Sequence, residues 1–368
     1  LSRNGASIFA ARDGGEAVTQ VQLRAVRKEF GSFVALEHID LNIASGELVA
    51  LLGPSGCGKT TTLRMISGLD NPTNGEILFD GKDVSEVPVR DRNVGMVFQR
   101  YALFPHMNVE KNITFGLRVR NVSPEEVSER LEEILDIVQL TQFRHRFPAQ
   151  LSGGQMQRVA IARTLITKPS VLMMDEPLAN LDTNLRGEMR RFIRDLQQRF
   201  NITTIFVTHD QVEAMELSDR VAVLFDGRLE QFDTPDAIYH RPDKISVAKF
   251  MGASNIFECT VADGMIKAGF ADLAAIGTQA FAQGERADAM VRSEAIRLLK
   301  EPQDGAANQV EGEIRTADFF GATVSYTVQV GEHELNVDEH STEKLETGSR
   351  VFLQLPGDRI WLFPKRAN

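Results

Sequence analysis

The stretch GPSGCGKT, Gly53 to Thr60, gathers three glycines, a lysine and a hydroxyl between an apolar run, LVALL, and an apolar helix. Glycines let successive backbone NH groups converge on the oxygens of a phosphate, and the start of the following helix adds positive potential. In such a loop Lys59 reaches the β- and γ-phosphates of a nucleotide and Thr60 ligates Mg²⁺. The cradle is expected to run through Gly53, Pro54, Ser55, Gly56, Cys57, Gly58, Lys59, Thr60 and Thr61. Cys57 is expected to offer its backbone NH. A helix start also depresses a thiol pKa, which leaves a redox-sensitive site open.

A second signal is VLMMDEP, from Val171. Four apolar residues bury a strand, so Met173 and Met174 belong to the core. Asp175 at its tip can complete a Mg²⁺ shell, and Glu176 can act as base on a water facing the γ-phosphate. Gln99 closes VGMVFQ and His209 closes IFVTH. Each is weak alone, but on the edge of one sheet both would reach the phosphate.

A second glycine turn, LSGGQMQRVAIAR, begins at Leu151, roughly a hundred residues after the first. Leu151, Ser152, Gly153, Gly154 and Gln155 supply a hydroxyl and NH groups at another helix start, again suited to phosphate. One nucleotide needs one cradle, so the second turn requires a separate explanation.

These residues need a scaffold. LEHIDLNI alternates as a half-buried strand, while LVALL, VLMMDEP and TTIFVTH are buried strands with polar tips. Ser123, Pro124 and Glu126 mark a helix start, after which Val127, Leu131, Ile134, Leu135 and Val138 keep one apolar face. Leu185, Met189, Phe192, Ile193 and Leu196 stripe another helix. Strand–helix alternation from residue 20 to 252 implies an α/β domain with a mainly parallel sheet and a site beyond the strands' carboxyl ends. Residues 253–368 change to short alternating runs separated by turns, a small all-β, barrel-like domain. Residues 1–19 read as a mobile tail.

With 368 residues the chain has room for two domains, and a net charge of −10 argues against wrapping nucleic acid. No apolar run approaches the roughly 20 residues of a membrane span, and the stretch LSRNGASIFAARDGGEA, lacking a long apolar core, is not expected to act as a secretory signal. A soluble chain is expected, with any membrane connection made through a partner. Two cysteines, Cys57 and Cys259, form no disulfide framework, and seven histidines make no metal-ligand spacing.

The motif order GPSGCGKTT, VFQ, LSGGQ, VLMMDEP, NLD, VTHD resembles the ATP-binding subunit of an ATP-binding-cassette (ABC) importer, over about residues 21–368. The resemblance implies a P-loop NTPase cassette with a helical subdomain, followed by an OB-type β-barrel that braces the dimer or regulates. It implies ATP and Mg²⁺, and a second copy paired head to tail, so that Leu151–Gln155 and Asp182 meet the partner's nucleotide. That would explain the second glycine turn. It also implies Phe30 stacked on adenine, Glu176 as general base, Asp175 and Gln99 attending Mg²⁺, and His209 on the γ-phosphate. Two transmembrane permease subunits and, indirectly, a solute-binding protein would be partners, at the cytoplasmic face of the cell membrane.

In RYALFPHM, residues Tyr101, Leu103, Phe104 and Met107 are read as part lobe core and part groove for a permease helix. VRSEAIRL, Val291 to Leu298, is similar to a recurrent strand of the appendage, with Ser293 in place of a proline. The vocabulary looks closest to the polyamine and ferric-iron branches, polyamine favoured, with phosphonate and sugar as alternatives. A cassette ATPase acting on nucleic acid or ribosomes would carry coiled-coil insertions, tandem cassettes or basic patches, and none is present. A slow regulatory module is disfavoured by the intact Glu176 and His209.

Overall fold

The computed structural model describes residues 19–303, 305–341 and 343–365. The tail read at residues 1–19 lies outside the described residues except for Thr19, which is buried and accepts a 2.6 Å hydrogen bond from the Thr203 hydroxyl through its carbonyl. The chain divides into two units between His240 and Arg241, ahead of the change in residue pattern at Gly252.

The first unit is built on ten strands: β1 (Val21–Phe30), β2 (Phe33–Ile43), β3 (Leu48–Leu52), β4 (Asn74–Phe79), β5 (Lys82–Asp83), β6 (Val94–Val97), β7 (Val171–Asp175), β8 (Thr203–Thr208), β9 (Arg220–Phe225) and β10 (Arg228–Asp233). Their order is β5-β4-β1-β2-β10-β9-β3-β8-β7-β6. The half from β9 to β6 is parallel and carries the buried runs LVALL, VLMM and TTIFVT. The sheet as a whole is mixed: five neighbouring pairs are parallel, β2–β10 among them, and four are antiparallel. β1 pairs antiparallel with β2 and β4, and β9 with β10. For β1–β2 and β9–β10 the reason is connection length. Gly31–Ser32 and Asp226–Gly227 leave room only for hairpins, whereas a parallel pair needs a crossover of a dozen or more residues.

Among the described residues seven helices accompany the sheet: α1 (Lys59–Ser67), α2 (Val109–Val119), α3 (Pro124–Ile137), α4 (Gly153–Leu165), α5 (Thr183–Phe200), α6 (Gln211–Leu217) and α7 (Pro235–His240). α2, α3 and α4 lie between β6 and β7 in the chain, and α2 packs on both of the others as a helical lobe. Ser123 caps α3 by accepting the Glu126 NH, and Val127, Leu131, Ile134, Leu135 and Val138 are buried as their spacing requires. The Glu126 carboxylate pairs with Arg130 one turn on and does not return to the cap.

The second unit holds α8 (Ile245–Phe250), β11 (Asn255–Ala262), β12 (Met265–Ala268), β13 (Asp272–Ala274), β14 (Arg286–Val291), β15 (Arg297–Leu299), β16 (Gln309–Phe319), β17 (Val324–Val330), β18 (His333–Glu339), β19 (Arg350–Gln354) and β20 (Trp361–Pro364). Two antiparallel five-stranded sheets, β13-β12-β11-β14-β20 and β15-β19-β16-β17-β18, enclose one apolar core around Phe257, Ile314 and Tyr326. Ala248 of α8 packs with Met290 and Phe363, and Arg292 donates to the Met251 carbonyl at 2.6 Å. VRSEAIRL is not one strand. It leaves β14 at Val291, makes a 3-10 turn at Ser293–Ala295 and enters β15, and the Ser293 hydroxyl at that turn donates to Asp338 at 2.5 Å.

Candidate active site

β3 is buried along its whole length and delivers the chain into the glycine loop at Gly53. A Cβ on Gly53 would lie 2.2 Å from the Leu224 carbonyl oxygen. At Gly58, φ is +102°, and a Cβ there would lie 2.4 Å from Leu36 Cδ2, so only glycine fits. The NH groups of Ser55, Gly56, Gly58, Thr60 and Thr61 donate no backbone hydrogen bond within the loop among the described residues, and remain for a ligand. Cys57 differs from its expected role. Its NH turns inward to the Pro54 carbonyl at 3.4 Å, and burial raises its thiol pKa, against a reactive thiolate.

Lys59 opens α1 and is 6% exposed. Its ammonium donates to the carbonyls of Gly53 at 2.7 Å and Pro54 at 2.8 Å. Buried cations need such acceptors. Thr60 donates from Oγ1 to Asp175 Oδ1 at 3.2 Å, joining the loop to the tip of β7. Burial raises the Asp175 pKa, opposed by the Thr60 hydrogen bond and reinforced by the neighbouring Glu176 charge.

Glu176 sits just past β7 at φ +44°, a left-handed conformation rare for this residue type. Its carboxylate is held on both oxygens. Gln99 donates Nε2–H to Oε2 at 2.7 Å, and His209 Nδ1 lies 3.3 Å from Oε1. Thus strand ends of β6, β7 and β8, far apart in sequence, bring Gln99, Asp175, Glu176 and His209 beside the glycine loop. The His209 side chain remains 60% exposed, free to meet a ligand.

Phe30 ends β1, half exposed, with the Lys28 ammonium 4.9 Å from its ring centre. Leu151 and Ser152 lead into α4. The Ser152 hydroxyl accepts the Gln155 NH at 3.3 Å while Gln155 Oε1 accepts the Ser152 NH at 3.0 Å, a reciprocal cap. Two donors are therefore spent internally, and among the described residues the NH groups of Gly153 and Gly154 donate to no acceptor. Among the described residues, no hydrogen bond joins Leu151–Gln155 to Gly53–Thr61. Asp182 caps α5 by accepting the Leu185 NH at 3.1 Å.

Residues 36–179 match the ABC transporter family, and residues 289–363 match the TOBE domain. The Fe(3+) ions import ATP-binding protein FbpC of Rhizobium etli is 44% identical over 329 residues, 88% of this chain and 92% of that protein. The chain belongs to the ATP-binding subunits of ABC importers. The spermidine/putrescine import ATP-binding protein PotA of Thermobifida fusca is 41% identical over 96% of this chain and 93% of its own length. The sulfate/thiosulfate import ATP-binding protein CysA 1 of Rhizobium meliloti is 52% identical over 67% of this chain and 72% of that protein. Among solved structures, the dimeric post-hydrolysis cassette MJ0796 bound to ADP and Pi is 34% identical with a TM-score of 0.52, covering 58% of this chain and 98% of that one. As an ABC subunit the chain binds ATP and couples its hydrolysis to transport.

Two residues of this ABC cassette were not singled out from the sequence. Asn180, inside LANLD, donates Nδ2–H to the Gln99 carbonyl at 2.6 Å. Arg163, the last residue of LSGGQMQRVAIAR, donates to the carbonyls of Tyr101 and Ala102. A cation ending the apolar run VAIA was the available signal. Tyr101, Leu103, Phe104 and Met107 are all half-buried, and the Phe104 and Phe115 rings lie 4.6 Å apart. The buried Asn112 amide fixes their loop, bonding to Phe104 and Met107 carbonyls at 3.1 and 2.9 Å.

Proposed function

We propose that this subunit powers uptake of a small solute, a polyamine, through two permease subunits at the cytoplasmic face of the membrane. The observation that carries the hydrolytic reading is the convergence of Lys59, Thr60, Asp175, Glu176, Gln99 and His209 at one end of the parallel strands. The Lys59 ammonium, now bonded to loop carbonyls, turns to the β- and γ-phosphates. The free NH groups of the loop bind their oxygens, and Phe30 stacks on adenine.

Water attacks the γ-phosphorus as the bond to the bridging oxygen breaks, giving ADP and phosphate. Glu176 accepts the water's proton. Gln99 and His209 hold its carboxylate in line, and His209 also meets the γ-phosphate. Little covalent work is asked of the protein, so positioning and charge stabilisation account for the rate. The hydroxyl of Thr60, the carboxylate of Asp175 and the amide oxygen of Gln99 form an oxygen set that suits a hard divalent ion. Mg²⁺ held there would neutralise charge on the β- and γ-phosphates.

Leu151, Ser152, Gly153, Gly154, Gln155 and Asp182 serve the partner's nucleotide in a head-to-tail dimer. The free NH groups of Gly153 and Gly154, the lack of hydrogen bonds from Leu151–Gln155 to the chain's own cradle among the described residues, and the dimeric relative support this. ATP would close the pair, closure would move the permease, and hydrolysis would reset it. A solute-binding protein would deliver the cargo from outside.

The polyamine relative matches 96% of this chain, including the C-terminal unit, which favours that solute. Ferric iron is the second reading, supported by higher identity, 44%, over 88% of the chain. The test is uptake of labelled putrescine, spermidine, ferric iron and sulfate in cells with the native permease, comparing the parent with Glu176→Gln. Loss of polyamine uptake alone supports the proposal. Loss of iron or sulfate uptake alone replaces the solute, and hydrolysis at the parent rate by Glu176→Gln overturns the base assignment.

A further inference from the structure

Arg163 stands in the last turn of α4, the helix whose first turn carries Ser152. Its guanidinium donates Nη1–H to the Ala102 carbonyl at 2.8 Å and Nη2–H to the Tyr101 carbonyl at 3.0 Å. Both acceptor residues are left-handed, with φ of +58° at Tyr101 and +49° at Ala102. Two such non-glycine residues in succession are disfavoured on their own, because each Cβ crowds its neighbouring carbonyl. A planar fork of donors suits two adjacent carbonyls. The guanidinium has no carboxylate partner among the described residues; the Phe104 ring lies 5.6 Å away instead. Burial works against its charge, so the carbonyls are what hold it there.

The loop held this way begins at Gln99. That residue's carbonyl accepts from Asn180 at 2.6 Å, and its side chain grips Glu176 at 2.7 Å. Among the described residues the Tyr101 hydroxyl is buried without a hydrogen-bond partner, 3.5 Å from where a Cβ would stand on Gly153. The loop is therefore wedged between the helix of the second glycine turn and the carboxylate beside the first.

We propose that Arg163 is a positioning residue: by clamping the left-handed pair Tyr101–Ala102 to α4, it sets where Gln99 presents its amide to Glu176. Hydrolysis at one cradle is then tied to the position of the helix whose far end grips the partner's nucleotide. A shift of α4 relative to the sheet moves Gln99 with it. Loss of the clamp lets the pair relax to ordinary backbone and releases Gln99, while the contacts of Gly53–Thr61 and Phe30 to the nucleotide itself stay in place. This rests on the reading of Glu176 as the base.

The test uses the chain assembled with its native permease. Arg163→Gln is expected to lower kcat about tenfold, the worth of a charged hydrogen bond, with nucleotide affinity, read by methylanthraniloyl-ATP fluorescence without Mg²⁺, within about twofold. Adding Ala102→Gly, which adopts positive φ without steric cost, should recover about threefold of the loss. An unchanged kcat, a parallel fall in kcat and affinity, or no recovery from the glycine would each overturn the clamp. Glu176→Gln is measured alongside. Normal hydrolysis by that variant removes the base reading and this inference together, whereas a dead Glu176→Gln beside a normal Arg163→Gln removes this inference alone.

Discussion

Ser152 has two jobs in this account, and its variants can separate them. Its hydroxyl caps α4 by accepting the Gln155 NH at 3.3 Å, and it is also assigned to the phosphates of the partner's nucleotide. Ser152→Ala removes the acceptor and should cost about 1 kcal/mol of stability, whereas Ser152→Gly should cost only a few tenths, about what glycine costs at other caps. For a domain of this size about 1 kcal/mol is a melting shift of roughly 2–4 °C. The phosphate bond is charge-assisted and worth about 1.5–3 kcal/mol, so both variants should lose roughly 10- to 100-fold in hydrolysis rate. The free NH groups of Gly153 and Gly154 leave some residual activity. Nucleotide affinity of the isolated chain should stay within about twofold of the parent, since a turn that serves the other subunit's ATP adds nothing to monomer binding. The assays are thermal melting, titration of the isolated chain with nucleotide, and ATP turnover with the permease present. If the alanine variant were impaired and the glycine variant normal, the hydroxyl would act through the cap alone. If monomer affinity fell with turnover, the second glycine turn would grip its own subunit's nucleotide, and the answer given to why two exist would be wrong.

Lys59→Ala should weaken ATP binding by about 100-fold or more, because it deletes a charge-assisted contact to phosphate from a buried position; near-normal binding in calorimetry would remove Lys59 from the cradle. For Asp175 the sign follows from its raised pKa in the ligand-free fold. Its contribution to stability is complete below the ordinary aspartate pKa and is lost as pH rises through the raised value. Asp175→Asn should therefore melt above the parent at neutral pH, the gap closing towards acid, while Mg²⁺-dependent turnover is lost; a lower melting point at neutral pH contradicts this. Arg92 is buried and donates to the carbonyls of Met65, Ile66, Ser85 and Val87. Arg92→Met leaves these acceptors, two of them at the end of α1, without a donor and should cost about 3 kcal/mol or more in denaturant melts.

The family, the glycine loop and the order of the chemistry-bearing motifs were legible in the sequence because each is local. GPSGCGKT needs only a strand before it and a helix after it, and Ser123–Pro124 caps α3 with atoms three residues apart. The alternating runs after Asn255 likewise predicted the second unit's strands, since period two survives any arrangement of the sheets. The antiparallel pairs joined at Gly31–Ser32 and Asp226–Gly227 were set by loop length, a signal that the mainly parallel reading left unused. What the sequence alone could not decide was which distant groups meet. Gln99 and Glu176 are brought to 2.7 Å only because β6 and β7 lie side by side in parallel, with both strand ends on one edge. Arg163 was visible as a cation after VAIA, but its targets are backbone carbonyls of residues 101 and 102, and carbonyls carry no residue-type signal. The same holds for Lys59 on Gly53 and Pro54, and for Arg92 on the end of α1. Side-chain identity, spacing and period thus fixed what each segment can do. Which pairs act together was decided by strand order and by backbone acceptors, both created only when the chain has packed.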